Sequence, residues 1–179
     1  MLKIGIVTAS DKGSRGERVD ESGPKIKELV ETIAGKVVAY QIIPDELEII
    51  KKTLIDFADD KKVDIIFTTG GTGFSPRDVT PEATLAVVQR LTPGIPEVMR
   101  MESLKITPKA MLSRAVAGIR GNTLIVNLPG SPKAAAECLQ AIMSALPHGI
   151  EILKGEASEC AVLETVGKKG PEKTTLTSE

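Results

Sequence analysis

"VDIIFTTGGTGFSPRDVTPEAT" runs from Val63 to Thr84. Its first seven residues form an apolar, β-branched run closed by two threonines, the pattern of a strand buried on both faces. At its far end Thr80-Pro81 reads as a helix start, with Thr80 as the cap and Pro81 in the first helical position. Between these, Gly70, Gly71 and Gly73 let the backbone turn sharply and approach a ligand closely. Successive N–H groups in such a turn make an anion nest, and the helix N-terminus behind it adds positive potential. Thr72 and Ser75 add hydroxyl donors. The stretch is not a P-loop, since no Gly-Lys-Ser/Thr follows at the required spacing. It is not a dinucleotide fingerprint either, because position 76 is Pro. The two readings are a phosphate site and a tight strand-to-helix loop with no ligand.

Upstream, a strand is again followed by a loop and a helix, without any internal sequence repeat. "KIGIVTAS" (Lys3 to Ser10) is a buried strand, and the polar "DKGSRGERVDES" after it is a loop longer than most strand-to-helix connections. Ile26, Leu29, Val30 and Ile33 then recur at helical spacing, with Ser22 as cap and Gly35 as stop. "KVVAYQII" (Lys36 to Ile43) is a second strand, and Leu47, Ile50, Leu54 and Phe57 mark a second helix. Strands alternating with helices predict a mostly parallel sheet covered on both faces. Further on, "TPGIPEVMRMESLKITPKAMLSRA" reads as short helical pieces. "AVAGIRGNTLIVNL" reads as a hairpin turning at Gly121-Asn122. A long final helix follows "PGSP" and reaches about Pro147. Residues 1–156 are expected to form one domain and 157–179 a loosely held polar tail.

The composition narrows the function. The chain has 179 residues, 41% of them hydrophobic and 26% charged, within the ordinary range for a globular domain. Its 23 Lys plus Arg against 24 Asp plus Glu give no basic field to draw nucleic acid or an anionic membrane. With three Phe, one Tyr and no Trp there is no stacking platform for single strands. No apolar run reaches membrane-spanning length, and the N-terminus does not read as a signal peptide. Cys138 and Cys160 form no C-x-x-C, which points to a reducing, cytoplasmic setting. A single histidine, His148, and no paired cysteines argue against a zinc site, and no G-x-S-x-G elbow supports a serine triad. Cys138 reads as core.

Ligands of open parallel sheets bind beyond the carboxyl ends of the strands. Four informative stretches converge there: the loop after the first strand, with Ser10, Asp11, Ser14, Arg15, Asp20 and Ser22; "PDE" with Asp45; the glycine turn with Asp78; and "NLPGSPK" with Asn127, Pro129, Gly130, Ser131 and Lys133. A carboxylate such as Asp78 beside a phosphate calls for a bridging Mg²⁺; equally, Asp78 favours the helix dipole or pairs with Arg77. Asp45 fits a cap for the second helix, with Glu48 three residues on, or a cleft carboxylate. Lys133 is a phosphate contact or a solvated lysine on a capped turn. Asp, Gly, Thr and Lys without His or Cys machinery point to phosphoryl or nucleotidyl transfer, which depends on positioning and electrostatics.

"TTGGTG" with "RDVTPEAT", "SDKGSRGERVDESG", "IPDE" and "NLPGSP" together resemble the signature of the MogA/MoaB-type molybdenum cofactor biosynthesis proteins, over about residues 3 to 155. The resemblance implies a three-layer α/β sandwich with a mostly parallel central sheet, commonly a homotrimer. It implies molybdopterin adenylyltransferase activity, in which ATP and molybdopterin give adenylylated molybdopterin and pyrophosphate with Mg²⁺. On this chain Asp45 and Asp78 become the catalytic and metal-positioning pair. Gly70, Gly71, Thr72, Gly73 and Thr80 hold ligand phosphates, and Ser10, Asp11, Asn127, Pro129, Gly130, Ser131 and Lys133 complete the cleft. The alternative within the fold is a protein that binds molybdopterin or its precursor without transferring a nucleotide. A metal-insertion enzyme normally carries further domains, and a nucleotide pyrophosphatase of the competence-damage type would need no pterin.

Overall fold

The computed structural model describes residues 1–156; the expected polar tail, with Cys160, lies outside the described residues. Six strands form one sheet: β1 (Leu2–Ala9), β2 (Gly35–Ile43), β3 (Ile65–Thr69), β4 (Arg90–Leu91), β5 (Ala117–Arg120) and β6 (Thr123–Leu128). Their order is β2-β1-β3-β6-β5-β4. β2, β1, β3 and β6 run parallel, while β5 and β4 are antiparallel additions at one edge. The chain leaves β1 to one side for β2 and returns to the other side for β3, so the strand order switches between β1 and β3.

The apolar runs are buried on both faces because successive side chains alternate. Ile4, Ile6, Ile65, Phe67, Leu124, Val126 and Leu128 face one layer, made of α2 (Ser22–Glu31), α5 (Gly94–Leu104), α6 (Pro132–Ile142) and α7 (Leu146–Lys154). Val7, Ala9, Ile66 and Ile125 face the other, made of α3 (Leu47–Ile55) and α4 (Thr80–Val87). The architecture is the expected three-layer sandwich. The hairpin turns at Gly121, whose φ of +54° suits a two-residue connection pairing Arg120 with Thr123.

Several local expectations are corrected. Asp45 does not cap α3: Glu46 occupies that position and makes no side-chain cap, while the Asp45 carboxylate turns away to Asp11 N. Thr80 is the first helical residue of α4 rather than its cap, and its Oγ1 is buried with no hydrogen-bond partner. Ser22 does not cap α2; Asp20 Oδ1 accepts from Ser22 N (2.9 Å) and Gly23 N (3.1 Å) instead. The positive φ that ends the α2 segment falls on Ala34, not Gly35. The long final helix is divided, with a 3-10 turn at Met143–Ala145 separating α6 from α7 before Pro147. The proline-rich stretch holds an eleven-residue helix, α5, and one 3-10 turn at Pro108–Leu112.

Candidate active site

The carboxyl ends of β1 and β3 open into a cleft of about 760 Å³. Thr8, Ala9 and Ser10 line it from β1, and Thr69, Gly70 and Gly71 from β3. This is the switch point at which an open α/β sheet leaves a crevice. Gly70 and Gly71 have φ of +94° and +63°. A Cβ at Gly70 would run into the carbonyl of Ala9, and one at Gly71 into Thr80 Oγ1 and to within 3.2 Å of Asp45 Oδ1. Only glycine satisfies both the backbone hand and the crowding.

Arg114, from the segment before β5, holds the glycine turn from beneath. Its Nε donates to Gly73 O at 2.7 Å, Nη2 to Asp78 O and Nη1 to the Glu82 carboxylate. Asp78 closes a tight turn in the same loop, accepting from Ser75 N at 3.0 Å. Arg77 does not pair with Asp78. It binds Asp11 through two nitrogens (3.1 and 2.9 Å) and reaches Glu46 Oε1 at 3.1 Å.

Asp45 and Asp11 exchange backbone–carboxylate bonds: Asp11 N donates to Asp45 Oδ2 at 2.9 Å, and Asp45 N to Asp11 Oδ1 at 3.1 Å. The Arg77 guanidinium is the main cause that holds the Asp11 carboxyl below its ordinary value. Asp45 is half-buried, and burial pushes its carboxyl up, aided by the charges of Asp11 and Asp78 against the opposing bond from Asp11 N. A cation beside Asp45 would relieve that penalty. Asp45 and Asp78, both lining the cleft, are hard oxygen donors. Among the described residues no group of three or more His, Cys, Asp or Glu forms a dedicated cage. One or two carboxylates facing a cleft is the donor set Mg²⁺ takes when substrate phosphates and water complete its shell, so the residues fit that ion.

A second concavity of about 280 Å³ lies across the glycine turn. Thr72, Gly73 and Pro129 line it together with apolar side chains such as Met99, Ile106 and Leu112. The expected site residues therefore divide. Ser10, Asp45, Gly70, Gly71, Asp78, Gly130 and Ser131 line the charged cleft, and Thr72, Gly73 and Pro129 the apolar pocket. Asp11 stands behind Asp45 rather than in the cleft. One expectation is corrected outright, at Asn127, and Lys133 lines neither concavity. Asn127 is 0% exposed, its Nδ2 donating to Thr68 Oγ1 and Thr84 Oγ1 and its Oδ1 accepting from Val116 N, so it ties β3, β6 and α4 together. Lys133 points to solvent toward Glu137, 3.9 Å away.

The sequence reading missed the clasp around Asp20. Its Oδ2 accepts from Thr8 Oγ1 at 2.5 Å and from the Tyr40 hydroxyl, while its Oδ1 holds the start of α2. Burial alone would push this carboxyl up, but the bonds from Thr8, Tyr40, Gly23 and Ser22 outweigh it and hold it below its ordinary value. The same contact with Asp20 adds to burial in pushing the Tyr40 phenol up to about 12. Ser22 Oγ donates to Gly130 O at 2.9 Å and so joins the first loop to the "NLPGSP" turn. Thr8, Tyr40 and Gly130 are distant in sequence; an Asp two residues before a helix was the one visible signal.

A parallel sheet whose switch-point cleft is floored by glycine backbone and flanked by carboxylates defines a class of α/β domain suited to phosphorylated ligands. Residues 5–148 match the family described as "Probable molybdopterin binding domain", and the chain belongs to that family. It is 45% identical over 156 residues to a Helicobacter pylori protein named molybdopterin adenylyltransferase, covering 86% of this chain and 89% of the relative. An Escherichia coli protein of the same name is 40% identical over 174 residues, 89% of each chain. The crystal structure of the molybdopterin biosynthesis enzyme MoaB from Thermus thermophilus superposes with a TM-score of 0.83 at 50% identity, covering 87% of this chain and 98% of that one.

Proposed function

We propose that the protein is a molybdopterin adenylyltransferase that transfers AMP from ATP to molybdopterin. The observation that carries this reading is the glycine turn, with Asp45 and Asp78 beside it, at the mouth of the switch-point cleft. The charged cleft suits the ribose and phosphates of the nucleotide. The apolar pocket, with the hydroxyls of Ser103 and Ser113 on its wall, suits a pterin ring. The two ligands would then meet across the glycine turn that both concavities share.

In the reaction a phosphate oxygen of molybdopterin attacks the α-phosphorus of ATP. The bond from that phosphorus to the bridging oxygen breaks, its electron pair leaves with pyrophosphate, and adenylylated molybdopterin results. No enzyme nucleophile is required, in keeping with a site built of backbone N–H groups and carboxylates. Asp45 and Asp78 would hold Mg²⁺, which when bound supplies positive charge between carboxylate and phosphate. Arg114 and the Ser75–Asp78 turn fix the carboxylate and the glycine backbone in place, so little reorganisation is needed when charge develops. The same reading makes the protein cytoplasmic.

The test is a mass-spectrometric assay of the purified chain with molybdopterin, ATP and Mg²⁺, with controls omitting each. Adenylylated molybdopterin and pyrophosphate are expected. Asp78→Asn should melt at the same temperature and lose activity at least a hundredfold, on the order of an electrostatic catalytic group. Bound molybdopterin without product would favour the binding protein instead, and ATP consumption without pterin a pyrophosphatase.

A further inference from the structure

The charged side chains lining the cleft are four carboxylates, Asp20, Glu21, Asp45 and Asp78, and one cation, Arg18. An anionic polyphosphate entering such a cleft meets repulsion that backbone N–H groups alone offset only in part. Asp20 is occupied by its own bonds to Thr8, Tyr40, Ser22 and Gly23. Asp45 and Asp78 stand beside the glycine turn, where a cation would serve the phosphate that reacts. That leaves the distal phosphates without a positive partner; Lys133, a phosphate contact or a solvated lysine by sequence, does not line the cleft and lies 3.9 Å from Glu137.

Arg18 is the uncommitted arginine of this region and the one cation lining the cleft. Arg77 is held by Asp11 and Glu46, Arg114 by Glu82 and two loop carbonyls, and Arg15 by Glu17. Arg18 is exposed and makes no hydrogen bond or ion pair among the described residues. The loop that carries it is nevertheless fixed at both ends. On one side Gly16 N bonds Gly13 O (3.0 Å), Glu17 N bonds Lys12 O (2.9 Å), and Arg15 pairs with Glu17. On the other side the Asp20 clasp anchors the chain to β1, β2 and α2. A loop tied at both ends that presents a free guanidinium over an acidic cleft is suited to a ligand contact. The guanidinium fork matches phosphate oxygens in a bidentate way that an ammonium does not.

Resting on the adenylyltransferase reading, we infer that Arg18 grips the β- and γ-phosphates of the nucleoside triphosphate and so selects a triphosphate over a monophosphate. The residue then also holds the pyrophosphate product.

The experiment is calorimetric titration of the full chain and of Arg18→Gln and Arg18→Lys with ATP, AMP and pyrophosphate, each with Mg²⁺. Arg18→Gln should weaken ATP and pyrophosphate about tenfold while AMP stays within about twofold, as expected for loss of one charge-assisted phosphate contact. Arg18→Lys should recover part of the loss. Because Arg18 is exposed and unpartnered, both variants should melt with the unaltered chain, which separates lost grip from lost fold. Equal losses for ATP and AMP, or no loss for either, overturn the assignment of Arg18 while leaving the nucleotide reading intact. Failure of the unaltered chain to bind ATP at all sinks both.

Discussion

Tyr40 is the chain's only tyrosine, and there is no tryptophan to obscure it. Its hydroxyl donates to an Asp20 carboxylate that also takes bonds from Thr8 and the start of α2. The clasp should therefore weaken at both ends of the pH scale. Asp20, held below its ordinary value, contributes stability that is present above that value and lost as pH falls through the lowered one. Tyr40, pushed up to about 12, contributes stability that is complete below about 10 and lost as pH rises toward 12. Ultraviolet titration of phenolate should give a midpoint well above 10, falling back toward 10 in Asp20→Ala. A midpoint near 10 in the unaltered chain would mean that the clasp does not form. Asp78 stood out as a carboxylate within the glycine stretch, and Asp45 as one at the end of the second strand; both line the cleft. Asn127 was misread for a related reason. A polar residue near a strand's end looks like a cleft residue, but alternation turns it inward, where Thr68 and Thr84 wait.

At the scale of elements, the buried strands were the most legible features, since nothing but a covered sheet accommodates runs such as Ile65–Phe67. Helix α5 was underestimated because prolines read as breaks. Pro93 and Pro96 in fact lie before and within its first turn, where the amide N–H groups have no intrahelical acceptor and a missing one costs nothing. The four-residue α1 (Asp11–Ser14) gave no periodic signal, being only one turn long with Ser10 as its cap. Least legible was what supports the glycine turn, because Arg114 lies more than thirty residues downstream of the carbonyls it binds. Arg114→Met should loosen that turn, costing about 2 kcal/mol for the lost charged hydrogen bonds. It should also raise the KM for ATP with the sheet intact by circular dichroism. Arg114→Lys should rescue little, since one ammonium cannot reach both loop carbonyls and Glu82 in the guanidinium's fork geometry. A melting temperature and KM unchanged in Arg114→Met would remove Arg114 from any role in the site.

For the whole molecule, the outer face of α5 leaves Val98, Met101 and Leu104 exposed on successive turns, and Leu91 of the edge strand β4 is exposed too. We propose this face as the contact between copies in the homotrimer that the resemblance implies. Sedimentation equilibrium should return the mass of three chains, and Met101→Glu should shift it toward one; a single-chain mass for the unaltered protein would end that expectation. The position of β1 bears on a different matter, that of time. The strand made first lies inside the sheet between β2 and β3, and the pairings that extend the sheet beyond it arrive late: Ile4 meets Ile65, and Ile65 meets Leu124, each closure spanning about sixty residues. Until α5 and α6 are made, the sheet face carrying Ile4, Ile6, Ile65 and Phe67 has only α2 to cover it. Such late closures predict slow folding, with the half-built sheet an adhesive surface while the chain is being synthesised.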